Sequence, residues 1–268
     1  MSWITARRRH PAAGYAVLLL ALVLIGAAYA AFAGHGTTAS AAANPPGATK
    51  QQLAYGRQLF EVTCATCHGI DAQGSARGPS LIGVGAAAVD FQISTGRMPA
   101  KEIGAQMQEK RPVMNRTQTL AVANYIASLG GGPPIPSGAQ VNTAGADAAL
   151  GQQLFASNCA ACHNFAGAGG ALTYGKYGPP LTAATPTQIY EAMLTGPEAM
   201  PVFSDSTVTP DQKRAIIRYV TQTRSEPNPG GFSLGRVGPV TEGIVGWLAG
   251  IGLLILAGMW ITAKQREQ

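Results

Sequence analysis

Two short stretches hold the residues best suited to chemistry. Cys64-Ala65-Thr66-Cys67-His68 and Cys159-Ala160-Ala161-Cys162-His163 share the pattern C-x-x-C-H. Two cysteines three positions apart on a helical turn can each form a thioether to one of the two haem vinyl groups. The adjacent histidine then reaches the iron from the same side. The pattern reads as c-type haem attachment. Cys64, Cys67, Cys159 and Cys162 are the expected thioether residues, His68 and His163 the expected iron ligands, and two covalently bound haem c groups the expected cofactors. A shared four-cysteine zinc site is disfavoured, because the pairs are separated by 91 residues. A thioredoxin-like pair does not require a histidine after each motif, and a disulfide leaves the duplicated histidine unexplained.

The sixth iron ligand can be Met or His, or the position can stay open. The chain has four histidines: His10, His35, His68 and His163. The first two fall in the N-terminal region, which leaves no spare histidine inside either repeat. Methionine is available. Met98 lies 30 residues after His68 in TGRMP, and Met200 lies 37 after His163 in TGPEAMP. Met107 and Met114 compete for the first site. Met98 is favoured because its Met-Pro recurs at Met200, whereas a lone Met is ordinarily core filler. Met193, in the helical stretch TQIYEAML, reads as core. His/Met ligation fills the iron and raises its potential, which favours electron transfer over oxygen or peroxide chemistry.

The elements that must hold these residues are duplicated. YGRQLFEVTCATCHG (55–69) and LGQQLFASNCAACHN (150–164) align at an offset of 95 residues. GPSL (78–81) matches GPPL (178–181), Met-Pro recurs, and Val122-x-x-Tyr125 matches Ile216-x-x-Tyr219. A ligating histidine needs a partner for its second ring nitrogen, and the carbonyls of Pro79 and Pro179 are the candidates. Gly56 with Phe60, and Gly151 with Phe155, share a helix face at i, i+4. The glycine there would let the last helix of each copy approach closely. Tyr174 and Tyr177 read as either propionate neighbours or ordinary packing. Each copy is about 80 residues, too small for a self-sufficient apolar core without something else in its interior. The copies are expected at 49–130 and 147–225, joined by a Gly/Pro linker at 131–146 that is extended through its prolines.

Both ends suit a membrane. Residues 15–33 and 243–263 carry no charge, spans of 19 and 21 residues against the roughly 20 a spanning helix needs. Residues 1–34 are expected to be an N-terminal membrane anchor, with a signal sequence as the alternative. Residues 35–48 and 226–242 are tethers, 243–263 the C-terminal transmembrane helix, and 264–268 a cytoplasmic tail. Arg7, Arg8, Arg9, Lys264 and Arg266 flank the spans, so both ends are expected in the cytoplasm and the middle on the extracytoplasmic side of the plasma membrane. That places the charge. The formal net of +6 falls to +3 over residues 35–240, with 14 basic and 11 acidic residues, and four haem propionates would bring it to about −1. The basic balance reports topology, and a nucleic-acid partner is not expected. Only 12% of residues are charged, which excludes a disordered chain.

Each repeat resembles a class I cytochrome c domain, in its Gly-x-x-x-Phe, C-x-x-C-H, Gly-Pro-x-Leu and Met-Pro. The fold class this implies is all-α: two tandem class I cytochrome c domains between an N-terminal and a C-terminal transmembrane helix. The order of parts, with GGFSLGRVGPVTEG before the last helix, resembles the dihaem cytochrome c subunit of the actinobacterial cytochrome bcc complex, a quinol–cytochrome c reductase. That resemblance implies partners: a cytochrome b subunit, a Rieske iron–sulfur subunit and, as electron acceptor, an aa3-type cytochrome c oxidase. It also implies that the chain is an electron carrier without a substrate site of its own. The alternatives are a cytochrome c subunit of another oxidase or of a membrane dehydrogenase, and a dihaem enzyme of the peroxidase or thiosulfate dehydrogenase type.

Overall fold

A computed structural model describes residues 11–32, 47–104, 106–226 and 239–266. Arg7, Arg8, Arg9, His10, His35 and the stretch 227–238 lie outside the described residues. The N-terminal helix α1 (Pro11–Phe32) forms a unit of its own and presents an apolar surface along residues 15–28.

The first repeat is built on three helices. α2 (Lys50–Thr63) starts at a capping box, in which Thr49 accepts from the Gln52 backbone while the Gln52 side chain accepts from the Thr49 N–H. This satisfies two of the amides left over at a helix start. α2 ends at Cys64, and the short turn α3 (Ala65–His68) follows at once, with His68 N–H donating to Cys64 O over 3.0 Å. The cysteine pair and histidine are therefore wound on one turn by backbone hydrogen bonds. α4 (Gly85–Ser94) and α5 (Arg116–Gly130) complete the repeat, and α5 opens on the Asn115–Gln118 capping box.

The second repeat follows the same plan. α7 (Ala148–Asn158) is capped by Asp147 and leads into the turn α8 (Ala160–His163). α9 (Pro186–Thr195) and α10 (Pro210–Ser225) each open on a Thr–Gln capping box with Pro in the first turn. The departure from an all-helical plan is a pair of two-residue antiparallel strands, β1 (Gly170–Ala171) and β2 (Tyr177–Gly178).

In both copies the first and last helices cross where a glycine leaves no room. A Cβ on Gly56 would meet Ala121 O at 2.0 Å, and one on Gly151 would meet Ala215 O at 2.0 Å. The neighbouring rings pack at the crossing, Phe60 on Tyr125 at 5.6 Å and Phe155 on Tyr219 at 5.3 Å between centroids. Around these pairs lie the two cores. Val122 and Ile126 join Phe60 in the first; Tyr190, Ile217 and Val220 join Phe155 in the second.

The linker differs from a simple extended spacer. It contains a helical turn, α6 (Gly138–Val141), and is bonded to both copies. Ala87 N–H donates to Pro133 O (3.0 Å) on one side. On the other, Gln140 Nε2 donates to the Tyr190 hydroxyl (3.2 Å) and Arg214 Nε to Asn142 O (2.9 Å). Pro133, Pro134 and Pro136 precede the α6 turn in a stretch without regular secondary structure. The last helix, α11 (Pro239–Arg266), includes Gly243–Ala263, a span long and apolar enough to cross a membrane. Trp247 and Trp260 stand exposed near its ends, where amphipathic rings suit a headgroup region.

Candidate haem sites

The proximal side is the same in both copies. His68 Nδ1 lies 2.8 Å from Pro79 O, and His163 Nδ1 lies 2.9 Å from Pro179 O. A carbonyl can only accept, so the ring nitrogen that faces it carries the proton. The opposite nitrogen, Nε2, is left with a free lone pair, the form a metal-bound imidazole requires. Both histidines are buried, at 9% exposure, and burial holds His163 below the ordinary imidazole range, with the Pro179 bond opposing it.

The Gly-Pro-x-Leu stretches bring those carbonyls in by close backbone approach. A Cβ on Gly178 would sit 2.1 Å from Cys162 O, and one on Gly78 would sit 3.0 Å from Cys67 O and 3.1 Å from the His68 ring. Glycine is thus the residue that lets the segment lie against the C-x-x-C-H turn. Among the described residues no disulfide joins the four cysteines. Burial, reinforced by the neighbouring cysteine, pushes the Cys64 and Cys159 thiols up to about 11. Among the described residues no three His, Cys, Asp or Glu side chains converge as metal ligands, and the two cysteine pairs do not form one shared site.

In the second copy these groups line one cavity. Cys159, Cys162, His163 and Pro179 stand along it together with Met200, and Phe155, Leu181, Ile189, Met193 and Val220 supply apolar walls. An imidazole, a thioether, two thiols and a greasy lining are the donor set and surroundings that a covalently held haem needs. The residues present fit that group. In the first copy Cys64, Leu81 and Met98 pack against the cluster around Phe60 and Val122, and Met114 packs there too. The backbone N–H of Met107 donates to Glu198 Oε1 of the second copy over 2.8 Å. Met193 is core, at 3% exposure, while Met200 is half-buried on the loop after α9. Tyr174 is 97% exposed and Tyr177 is held through its backbone by Gln106.

Each methionine loop is pinned by a lysine that sequence reasoning passed over. Lys110 Nζ donates to the carbonyls of Gly96 and Pro99, which bracket Met98. Lys213, fully buried, donates to Asp205 Oδ1 and Val208 O, each at 2.7 Å, in the stretch between Met200 and α10. Neither lysine belongs to a spaced motif: Lys110 lies in a loop, and a charge near the start of a helix, as at Lys213, reads as surface.

A family model for cytochrome c matches residues 53–130, and one for subunit III of cbb3-type cytochrome c oxidase matches residues 146–220. Both repeats are cytochrome c domains. A Corynebacterium diphtheriae protein named cytochrome bc1 complex cytochrome c subunit is 47% identical over 224 residues, covering 78% of this chain and 80% of its own length. Its namesake in Mycobacterium tuberculosis is 42% identical over 264 residues, 96% of this chain and 93% of its own. The chain belongs to the cytochrome bc1 complex cytochrome c subunit family. A cbb3-type oxidase subunit, FixP of Bradyrhizobium diazoefficiens, is 31% identical over 126 residues, 43% of this chain. As a bc1 complex cytochrome c subunit, the chain is an electron-transport protein whose domains imply covalently bound haem c. The apolar α11 is its membrane anchor.

Proposed function

We propose that this subunit is a two-haem electron carrier. It takes electrons from the quinol-oxidising cytochrome b and Rieske iron–sulfur subunits and passes them to a terminal aa3-type oxidase. The observation that carries the proposal is the duplicated proximal arrangement, His68–Pro79 and His163–Pro179, each beside its own cysteine pair. Haem iron, when bound, supplies a one-electron couple. The chain's residues do the rest. Cys64, Cys67, Cys159 and Cys162 would anchor the group covalently, Pro79 and Pro179 fix the imidazole tautomer of His68 and His163, and Met98 and Met200 would supply thioether ligands. Such a filled coordination suits transfer over substrate chemistry.

The domains work outside the cytoplasm in this reading, at 49–130 and 147–225, with Arg7, Arg8, Arg9, Lys264 and Arg266 retained inside by the positive-inside rule. A pyridine haemochrome assay should give two c-type haems per chain; one or none overturns the proposal. The match of residues 146–220 to a cbb3 subunit favours a second reading, membership of an oxidase. Mild-detergent co-purification on a C-terminal tag separates the two. Cytochrome b and a Rieske protein are expected, with an aa3-type oxidase; a cbb3 catalytic subunit in their place supports the second reading.

A further inference from the structure

The cavity that holds His163 and Met200 is not walled by the second domain alone. Phe91, Thr95, Arg97, Gln106 and Glu109 of the first domain also line it. The segment that brings them is docked on both sides of the cavity. The Gln106 side-chain amide pairs both ways with the Tyr177 backbone, donating to its carbonyl at 2.8 Å and accepting from its N–H at 2.9 Å. Tyr177 stands two residues before Pro179, the partner of His163. One residue on, Met107 N–H holds Glu198, two residues before Met200. One short piece of the first domain thus ties down the proximal and the distal walls of the second site.

Within that wall Arg97 stands out. It is 7% exposed, lies 5.1 Å over the Phe91 ring, and meets Glu109 only at the long distance of 3.8 Å. Glu109 is itself more than half exposed. A guanidinium stays charged at any physiological pH, and a buried one needs close counter-charge and acceptors for its donors. Arg97 also acts on the Glu198 carboxylate, which Lys176 faces as well. Arg97 also marks a place where the duplicated copies differ, Arg-Met-Pro against Ala-Met-Pro at 199–201.

We propose that Arg97, although carried by the first domain next to Met98, is a binding residue of the second haem site, where its planar fork meets the haem's carboxylates. The proposal rests on the haem reading above. A carboxylate pair is the ligand chemistry a guanidinium fork recognises. A fixed cation there disfavours the oxidised, more positive iron and so raises the potential of the second site. One tripeptide would then serve both sites, Met98 for the first and Arg97 for the second.

The test is a potentiometric titration of the c-type absorption in the detergent-solubilised complex, with Met200→His as reference. Exchanging a thioether for an imidazole lowers a haem potential, so the wave that variant moves is the second site. Arg97→Gln should lower that same wave by roughly tenfold in the reduction equilibrium constant, about 59 mV for one electron. Arg97→Lys keeps the charge, loses the fork, and should move it less, roughly twofold to threefold. If Arg97→Gln does not assemble, Arg97→Lys decides on the same wave. If both arginine variants leave the Met200-assigned wave in place, or move only the other, the proposal fails while the ligand reading stands. If Met200→His moves neither wave, the ligand reading itself fails.

Discussion

At the scale of single residues, the proximal site depends on atoms that side-chain replacement cannot remove. The acceptors for His68 and His163 are main-chain carbonyls, so substituting Pro79 or Pro179 leaves the oxygen in place. The sensitive residue is the glycine before each proline. On Gly178 even a methyl group would overlap Cys162 O, a backbone atom with no freedom to swing away. Gly178→Ala must displace either β2 or the C-x-x-C-H turn, and either movement separates Pro179 O from His163. The expected outcome is loss of the second haem, read as a fall from two c-type haems to one per chain in the pyridine haemochrome assay. Gly78→Ala is the internal comparison. Its nearest contacts are 3.0 and 3.1 Å, so a shift of a few tenths of an ångström relieves them and the first haem should be retained. Equal loss from both variants would contradict this ranking.

At the scale of elements, two packing features carry different energetic signs. The helix crossings are limited by backbone, so Gly151→Ala has to prise α7 from α10. A cost of about 1–3 kcal/mol or more is expected for such overpacking, seen as a lower thermal midpoint with haem content unchanged at low temperature. The Lys213–Asp205 pair is asymmetric: the lysine is fully buried while the aspartate is half exposed. Asp205→Ala strands a buried ammonium and should cost about 3–5 kcal/mol. Lys213→Met leaves a carboxylate that water can reach, and should cost about 1 kcal/mol. Denaturant titration of the two variants checks the order, and equal costs would reject the argument. The two cytochrome c domains, their helical class and the apolar C-terminal helix were legible in the sequence because each rests on short-range pattern. C-x-x-C-H occupies one helical turn, Gly-x-x-x-Phe one helix face, and Gly243–Ala263 one uncharged run. Lys110 and Lys213 were not legible, because their partners are carbonyls and a carboxylate brought close only by the folded loops.

At the scale of the whole molecule, equivalent helices of the two copies meet. α4 and α9 lie against each other, joined by Gln188 Nε2 donating to Ser94 Oγ at 3.1 Å. Each runs directly into the loop that carries its methionine, Met98 or Met200. No repeat or spacing in the sequence marks this interface. Its residues are of ordinary types and lie 71 to 94 positions apart. Its centre is a buried acidic pair, Asp90 at 1% and Glu191 at 0% exposure. Arg116 takes one oxygen of Asp90; the other, with both Glu191 oxygens, lacks a partner if both groups are ionised. One proton resolves this, because a protonated Glu191 can donate to Asp90. Burial first, then the Asp90 charge and hydrogen bond, push Glu191 up to about 9, with Arg116 opposing. The unfolded chain releases that proton near the ordinary value of 4.5. The contribution to stability is therefore complete below about pH 4.5, declines as pH rises, and is lost once pH passes about 9. Between those limits the folded state holds more protons than the unfolded, so stability slopes downward as pH rises. Glu191→Gln donates at every pH and removes that slope. Its thermal midpoint should match the parent protein near pH 5 and exceed it progressively toward pH 9. Curves that stay parallel across this range would show that no proton is held between the domains.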